Sequence, residues 1–138
     1  MAEISRFGIS LPGDLVDKFD KLIKQKGYTS RSKAFGDLIR QEIIKVEWTE
    51  GKEIAGAITF VYDHHKSDLL SKVTNVQHDF QDVIISTQHI HLDHHNCLEI
   101  IAVKGDPKKV QSLKDILKSL KGVKHATLGM SSTGKEVI

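Results

Sequence analysis

The sequence has one cysteine, two prolines, no long apolar run and almost no excess of either charge, and each shortage excludes something. A lone Cys97 cannot close an internal disulfide, so the chain is not a disulfide scaffold; its thiol is either core filler or a working group. No stretch approaches the roughly 18 apolar residues of a membrane helix, so a spanning protein is not expected. The opening residues MAEISRF lack the apolar core of a secretory signal, which makes the cytoplasm the expected compartment. Lys plus Arg number 20 against 18 Asp plus Glu, and a net charge of +2 neither demands nor excludes a nucleic-acid partner. With 39% hydrophobic and 28% charged residues the chain is expected to fold rather than stay disordered, and 138 residues is one or two small domains. What the chain has in plenty is histidine: eight residues, most of them crowded into one region.

The first fifty residues read strand, helix, helix. Between Ile4 and Leu11, Phe7, Ile9 and Leu11 share one face, and Arg6, Gly8 and Ser10 the other. Pro12-Gly13-Asp14 ends the strand and opens a helix whose stripe is Leu15, Val16, Phe19, Leu22 and Ile23. Gly27 suits the position after its end, and Thr29 or Ser30 can cap a second helix with Ala34, Phe35, Leu38, Ile39, Ile43 and Val46 on one side. A single strand has no ladder partner within this segment, and so few residues bury little apolar area. A symmetric dimer that pairs the two copies of the strand antiparallel, over four helices, satisfies both needs. Trp48 to Lys52 (WTEGK) is polar with one glycine and reads as a linker.

Beyond the linker the elements run strand (54–62), helix (67–80), strand (83–92), turn, strand (97–104), helix (108–120) and strand (123–130). That β-α-β-β-α-β order predicts a ferredoxin-like domain, and the chain as a whole is expected to be α+β. The expected division is a strand-helix-helix (βαα) domain over 1–48 and a ferredoxin-like domain over 53–138.

His89 and His91 are two apart in a strand, so their side chains leave the same face. Asp93-His94-His95-Asn96 is turn chemistry, and Cys97 begins the return strand. A hairpin therefore gathers two imidazoles and a thiol, good ligands for late first-row divalent metals. His78, at the end of the preceding helix, is a candidate fourth ligand; His64, His65, His94, His95 and His125 are possible substitutes. A mixed nitrogen and sulfur set suits tetrahedral zinc or square-planar nickel or copper, and the residues alone leave that choice open.

Arg6 and Ser10 project from one side of the proposed ribbon, a shape that fits the major groove of DNA, where Arg commonly reads guanine. Residues 1–45 hold nine basic and six acidic side chains, a modest electrostatic footprint. Thr29 and Ser30 stand where the second helix offers backbone amides to a phosphate. Gly129 to Lys135 imitates the first part of a P-loop, but Glu136 follows the lysine where Ser or Thr is needed, so it reads as a tail. No Ser-His-Asp order or paired-acid pattern suggests an enzyme.

The segment RFGISLPGDLVDKFDKLIKQKGYTSRSKAFGDLIR is similar to ribbon-helix-helix DNA-binding domains. The block VQHDF followed by TQHIHLDHHNCLEIIAVKGD resembles the nickel-responsive transcriptional regulator family (NikR), and the likeness spans roughly Ile4 to Leu128. The resemblance implies a homotetramer, a dimer of dimers in which ribbon-helix-helix pairs flank four ferredoxin-like (ACT-type) domains. It implies one square-planar nickel(II) per subunit at an interface, with His89, His91 and Cys97 from one chain and His78 from its neighbour. Arg6, Gly8 and Ser10 fall where that family's strand faces the bases, although Gly8 carries no side chain. Lys66 matches a position where some members touch DNA, and Ser67 follows where a basic residue can occur. Asp37 matches one acid of a second cation site, and Lys33 stands where its other acid can be. Glu99 lies two residues past the cysteine, on the same face, and is expected to support the metal ligands. The expected function is a nickel-responsive repressor of nickel uptake acting on double-stranded DNA at a palindromic operator. A metal storage or delivery protein without DNA function explains the histidines but not the unpaired strand. A Cys-His enzyme would need a substrate pocket.

Overall fold

The computed structural model describes residues 3–66 and 68–138; Ser67, read from sequence as the head of a helix, lies outside them. The described chain is α+β and falls into two compact units, one ending at Ile43 (with Ile138) and the other covering Ile44–Val137. No described helix is long and apolar enough to cross a membrane.

The first unit holds α1 (Gly13–Gln25) and the start of α2 (Arg31–Glu50). The strand expected over Ile4–Leu11 is not formed: the described residues before Gly13 take no regular secondary structure. A strand exists only against a ladder partner, and among the described residues nothing pairs with this segment. The alternating side chains stay uncovered, with Ile4 81% and Phe7 75% exposed. The helix ends behave as their sequences dictate. Gly27 takes φ 83°, and the amides of Gly27 and Tyr28 donate to the Lys24 and Ile23 carbonyls, a reversal that closes α1 and that only glycine adopts without strain. Ser30 Oγ accepts the Lys33 amide at 3.2 Å and so caps α2. Phe19 packs on Phe35 with ring centroids 4.8 Å apart, and Arg31 clamps Asp20 through two bonds of 2.8 and 2.7 Å. Yet Ile23 and Ala34 are the only described apolar side chains buried here, while Leu15, Leu22, Leu38 and Ile39 stay about half exposed.

The second unit is a four-stranded antiparallel sheet in the order β2-β3-β1-β4, with β1 Ile54–Asp63, β2 Ile84–His91, β3 Asn96–Gly105 and β4 Val123–Met130. With α3 (Leu69–Asp79) after β1 and α4 (Pro107–Ser119) after β3, this is the ferredoxin-like arrangement expected from the element order. Strand alternation decides which face is dry. Ile54, Ile58, Phe60 and Tyr62 of β1 are buried with Cys97, Ile101 and Val103 of β3, and Leu69, Val73, Val110, Leu113 and Leu117 of the helices close the same core. Asp106 caps α4 by accepting the Lys108 amide at 3.0 Å, and Pro107 opens the helix where no amide is needed.

The WTEGK segment is not a linker, which corrects the sequence reading. Trp48, Thr49 and Glu50 complete α2, and Trp48 belongs to the core of the second unit. Its indole Nε1 donates to the Ser131 carbonyl at 2.8 Å, so one large side chain pins the C-terminal turns of α2 beside the end of β4. Its ring also lies against Gly56, where an added Cβ would meet the indole at 3.3 Å and the Gly129 carbonyl oxygen at 2.6 Å. The carbonyl is backbone held by the β1–β4 ladder and cannot step aside. Gly56→Ala is therefore expected to cost about 1–3 kcal/mol or more, and Trp48→Ala about 3–5 kcal/mol. Urea unfolding followed by far-UV circular dichroism measures both, and wild-type midpoints in either variant would contradict this packing.

Candidate metal centre

The β2–β3 hairpin is organised by one carboxylate. Asp93 accepts the His95 amide at 2.9 Å, the Asn96 amide at 2.8 Å, and the Asn96 side-chain amide on both oxygens at 3.1 and 3.0 Å. The Asn96 side chain and these two amides hold Asp93 in its charged form, down at about 2 from an ordinary 3.8. The tightened turn sets the register, which places His91 opposite Cys97 and His89 opposite Glu99. Facing residues of an antiparallel pair point to one side, so all four side chains converge.

A third strand end completes the cluster. Tyr62 pairs with Cys97 across β1 and β3, and the loop leaving β1 is tied back where Asp63 accepts the His65 amide at 2.9 Å and His64 donates its amide to the His95 carbonyl at 3.2 Å. His64 Nδ1 then sits 3.3 Å from Cys97 Sγ, and His91 Nδ1 sits 3.4 Å from it. The three possible ligand atoms all lie within 4.8 Å of one another. Burial, then the charges of Asp93, Asp63 and Glu99, push the Cys97 thiol up, so it holds its proton until a cation displaces it. Burial, then His65 and His91, pulls His64 down and keeps its imidazole neutral, the form that ligates. The donor set suits a late divalent metal of the zinc or nickel kind.

The residues named from sequence divide into groups. His91 and Cys97 meet directly. His89 is close by, its ring centroid 5.2 Å from that of His91, with Nδ1 bonded to the Tyr62 hydroxyl at 2.9 Å. When Nδ1 carries the proton and donates, Nε2 keeps its lone pair for a cation. Burial raises the Tyr62 hydroxyl to about 12, so it stays protonated as a partner. Glu99 is buried and accepts the Gln77 side-chain amide at 2.9 Å; burial pushes its carboxyl up, against that bond and the nearby His89. His78 is exposed on the last turn of α3 with Nδ1 3.1 Å from Gln81 Nε2, and it is not part of the three-residue cluster. The residue that pattern reading left among five substitutes is His64. Its signal was available: in this topology β1 neighbours β3, so the residue two beyond Tyr62 falls beside Cys97.

The expected DNA-facing residues Arg6, Gly8 and Ser10 are exposed in the N-terminal segment, and Thr29, Ser30 and Lys66 are exposed in loops. The Ser30 hydroxyl is engaged as the α2 cap. Asp37 is engaged as well: Lys33 Nζ and the Tyr28 hydroxyl each approach it at 2.8 Å and Arg40 Nη1 at 3.1 Å, and together they hold its carboxyl below the usual range.

Comparison with known proteins agrees with both halves. Residues 5–46 match the model of the ribbon-helix-helix protein, copG family, and residues 55–131 match that of the NikR C-terminal nickel binding domain. A protein of Syntrophus aciditrophicus named "Putative nickel-responsive regulator" is 58% identical over 98% of both chains. One of Chlorobium limicola with the same name is 54% identical over 97% of this chain and 100% of its own. An uncharacterized protein of Thermotoga maritima, 15% identical, superposes with a TM-score of 0.51 over 56% of this chain and 95% of its own, a likeness of fold alone.

The turn carboxylate yields a prediction with a definite sign. A pKa of about 2 in the fold lies below the ordinary 3.8, so the bonds of Asp93 are fully present above roughly pH 4 and are lost as the pH falls toward 2. Asp93→Ala is expected to speed amide exchange at His95 and Asn96, to erase that acid transition, and to weaken divalent-metal binding about tenfold by loosening the hairpin. Unchanged exchange at those two amides would remove the turn from this account.

Proposed function

The chain belongs to the family of nickel-responsive regulators, and from that premise we propose that it is a nickel-dependent DNA-binding repressor. The observation that carries the reading is the convergence of His91 and Cys97 across the β2–β3 ladder, with His89 beside them on the face that carries buried Glu99. In this reading His89, His91 and Cys97 of one subunit and His78 of its neighbour hold one nickel(II) per subunit, and Glu99 supports the set from beneath. These residues would hold the metal through imidazole nitrogens and the Cys97 thiolate, and nickel would supply the bonds that draw them together. What this chain contributes is alignment. Gln77 precedes His78, and its bond to Glu99 ties the last turn of α3 to the strand that carries Cys97. Occupancy of the hairpin is thus felt at the helix that lends His78.

The DNA-binding half follows from the unfinished first unit. Its uncovered apolar stripes and unpaired N-terminal segment are satisfied when two copies pair that segment as a ribbon. Arg6, Gly8 and Ser10 then face the bases, the α2 start at Thr29 and Ser30 meets a phosphate, and Lys66 adds a backbone contact. The functional division follows the two compact units: a DNA-binding part ending at Ile43 and a metal-binding, tetramer-forming part from Ile44 onward. A dimer of dimers has two-fold symmetry, so its operator on double-stranded DNA is palindromic. The regulated gene is one of nickel uptake, read in the cytoplasm. The coupling is reciprocal: if DNA favours the nickel-bound form, nickel favours the DNA-bound form equally.

The test is a gel-shift titration of the full chain on duplexes selected by nickel-loaded protein, at fixed salt, with and without nickel. Nickel is expected to tighten binding by about 10–100-fold, within the usual range of allosteric coupling. Cys97→Ala should abolish both the nickel–thiolate absorption and the nickel dependence. Arg6→Ala should weaken operator binding by about 1–3 kcal/mol while leaving that absorption intact. Operator affinity indifferent to nickel would sink the reading and favour a metal-storage role.

A further inference from the structure

The edge strand β4 breaks register once. Across the β1–β4 ladder Val61 faces His125 and Tyr62 faces Val123, so Lys124 is an extra residue with no partner on β1. A bulge of this kind interrupts pairing and re-aims a side chain. In the order β2-β3-β1-β4, Lys124 reaches across the end of β1, and its Nζ donates to Asn96 Oδ1 at 2.5 Å, at the start of β3. The bond spans three strand ends, because Asp63 at the end of β1 pairs with Asn96. We propose that Lys124 is a positioning residue for the metal hairpin: from the bulge it holds the Asn96 side chain in the one orientation that closes the turn over Asp93. The metal part of this inference rests on the reading of the hairpin as the nickel site.

The Asn96 side chain has two unlike ends. Nδ2 donates and Oδ1 accepts, so a reversed amide would aim its oxygen at the Asp93 carboxylate and its N–H groups at the Lys124 ammonium. Both contacts would be repulsive. In the orientation present, Asp93 accepts from Nδ2 at 3.1 and 3.0 Å while Lys124 donates to Oδ1, so an anion and a cation select the same rotamer from opposite sides. Asn96 is also where the turn closes through its backbone: its carbonyl accepts the Leu92 amide at 2.9 Å. Asp63 stands charged at the same end of the sheet. The His65 amide, and after it the charges of His65, Lys124 and Lys66, hold its carboxyl below the usual range against burial.

The consequence reaches the ligands through the chain. Asn96 precedes Cys97, and Cys97 faces His91, so a loosened Asn96 loosens the register of a thiol and an imidazole together. Lys124 thus ties the hairpin to β4, a strand that carries no member of the nickel set. The bond is charge-assisted, but Lys124 is exposed and water competes for it, so its effect is modest.

The experiment begins with the metal-free full chain. Lys124→Met keeps the stem and removes the donor, and Lys124→Arg restores a donor of similar reach. Amide exchange at His95 and Asn96, followed by NMR, is expected to run about two- to fivefold faster in Lys124→Met, the range of an exposed charged bond, and to return toward wild type in Lys124→Arg. Nickel alone, measured by competition with a chelating dye, should bind Lys124→Met about two- to fivefold more weakly. The nickel–thiolate absorption should keep its position, because the ligands are unchanged. In an Asp93→Ala background the same substitution should add little to either effect, since Lys124 acts through the turn that Asp93 closes. Wild-type exchange in Lys124→Met would overturn the proposal and leave the nickel reading standing. Equal effects in both backgrounds would also overturn it, marking a general influence of charge, and so would faster exchange with unchanged nickel affinity. If wild type shows no nickel–thiolate absorption, the nickel reading fails and the metal role of Lys124 fails with it; the metal-free exchange rates separate that failure from a failure of the turn.

Discussion

The register of one hairpin is the constraint on which the rest of the structure depends. His91 stands opposite Cys97, and His89 opposite Glu99, because the turn between them closes over Asp93 with four bonds of 2.8–3.1 Å. A slip of one residue would send both imidazoles to the far face of the sheet and leave the thiol among apolar neighbours. The donors are ordinary; their coincidence on one face is produced by strand alternation and held by a solvent-facing carboxylate. This explains why the most strongly perturbed acid near the site is not itself a ligand.

The buried Glu99 extends that constraint to the helices. A carboxyl group in this position costs stability unless it is bonded, and the Gln77 amide supplies the bond. The pair is thus a structural necessity with a functional by-product. It ties the last turn of α3, where His78 follows Gln77, to β3, the strand that carries Cys97. Tyr62 plays the matching part on the other side, packing its ring on His89 at 5.9 Å and bonding Nδ1. That bond orients the His89 ring before any cation arrives.

How much of this was legible in the sequence depends on the range of the interactions involved. The order of elements in the second unit was readable because alternation and helical stripes are local, and the His-x-His and cysteine hairpin because turn residues mark it. Trp48 was not. Its burial follows from the position of Ser131 and Gly56, far along the chain, while its immediate neighbours are polar. His64 was hidden for the same reason: only the pairing of Tyr62 with Cys97 brings it to the thiol. The N-terminal strand is the opposite case: its pattern is plain and residues 5–46 match a ribbon-helix-helix model, but a strand is completed by a partner, and among the described residues of one copy nothing pairs with it.

Lys33 shows how a departure from the family pattern can be read as chemistry. The resemblance implies an oxygen-lined cation site that uses Asp37 and a second acid, and here the second acid is replaced by an amine. Lys33 Nζ lies 2.8 Å from Asp37 Oδ1, on the next turn of the same helix, and Arg40 approaches that oxygen at 3.1 Å. Tyr28 donates to Oδ2 at 2.8 Å. Both oxygens are therefore served by donors from the chain, and the charge that an added cation would balance is already balanced by two. A further cation would have to displace an ammonium and a guanidinium that are covalently tethered, at the cost of leaving two positive groups unpaired beside it. An ion pair between neighbouring turns is modest in energy when exposed to water. Tethering keeps Lys33 and Arg40 beside Asp37 all the same, so that both carboxylate oxygens are occupied by donors of the chain itself.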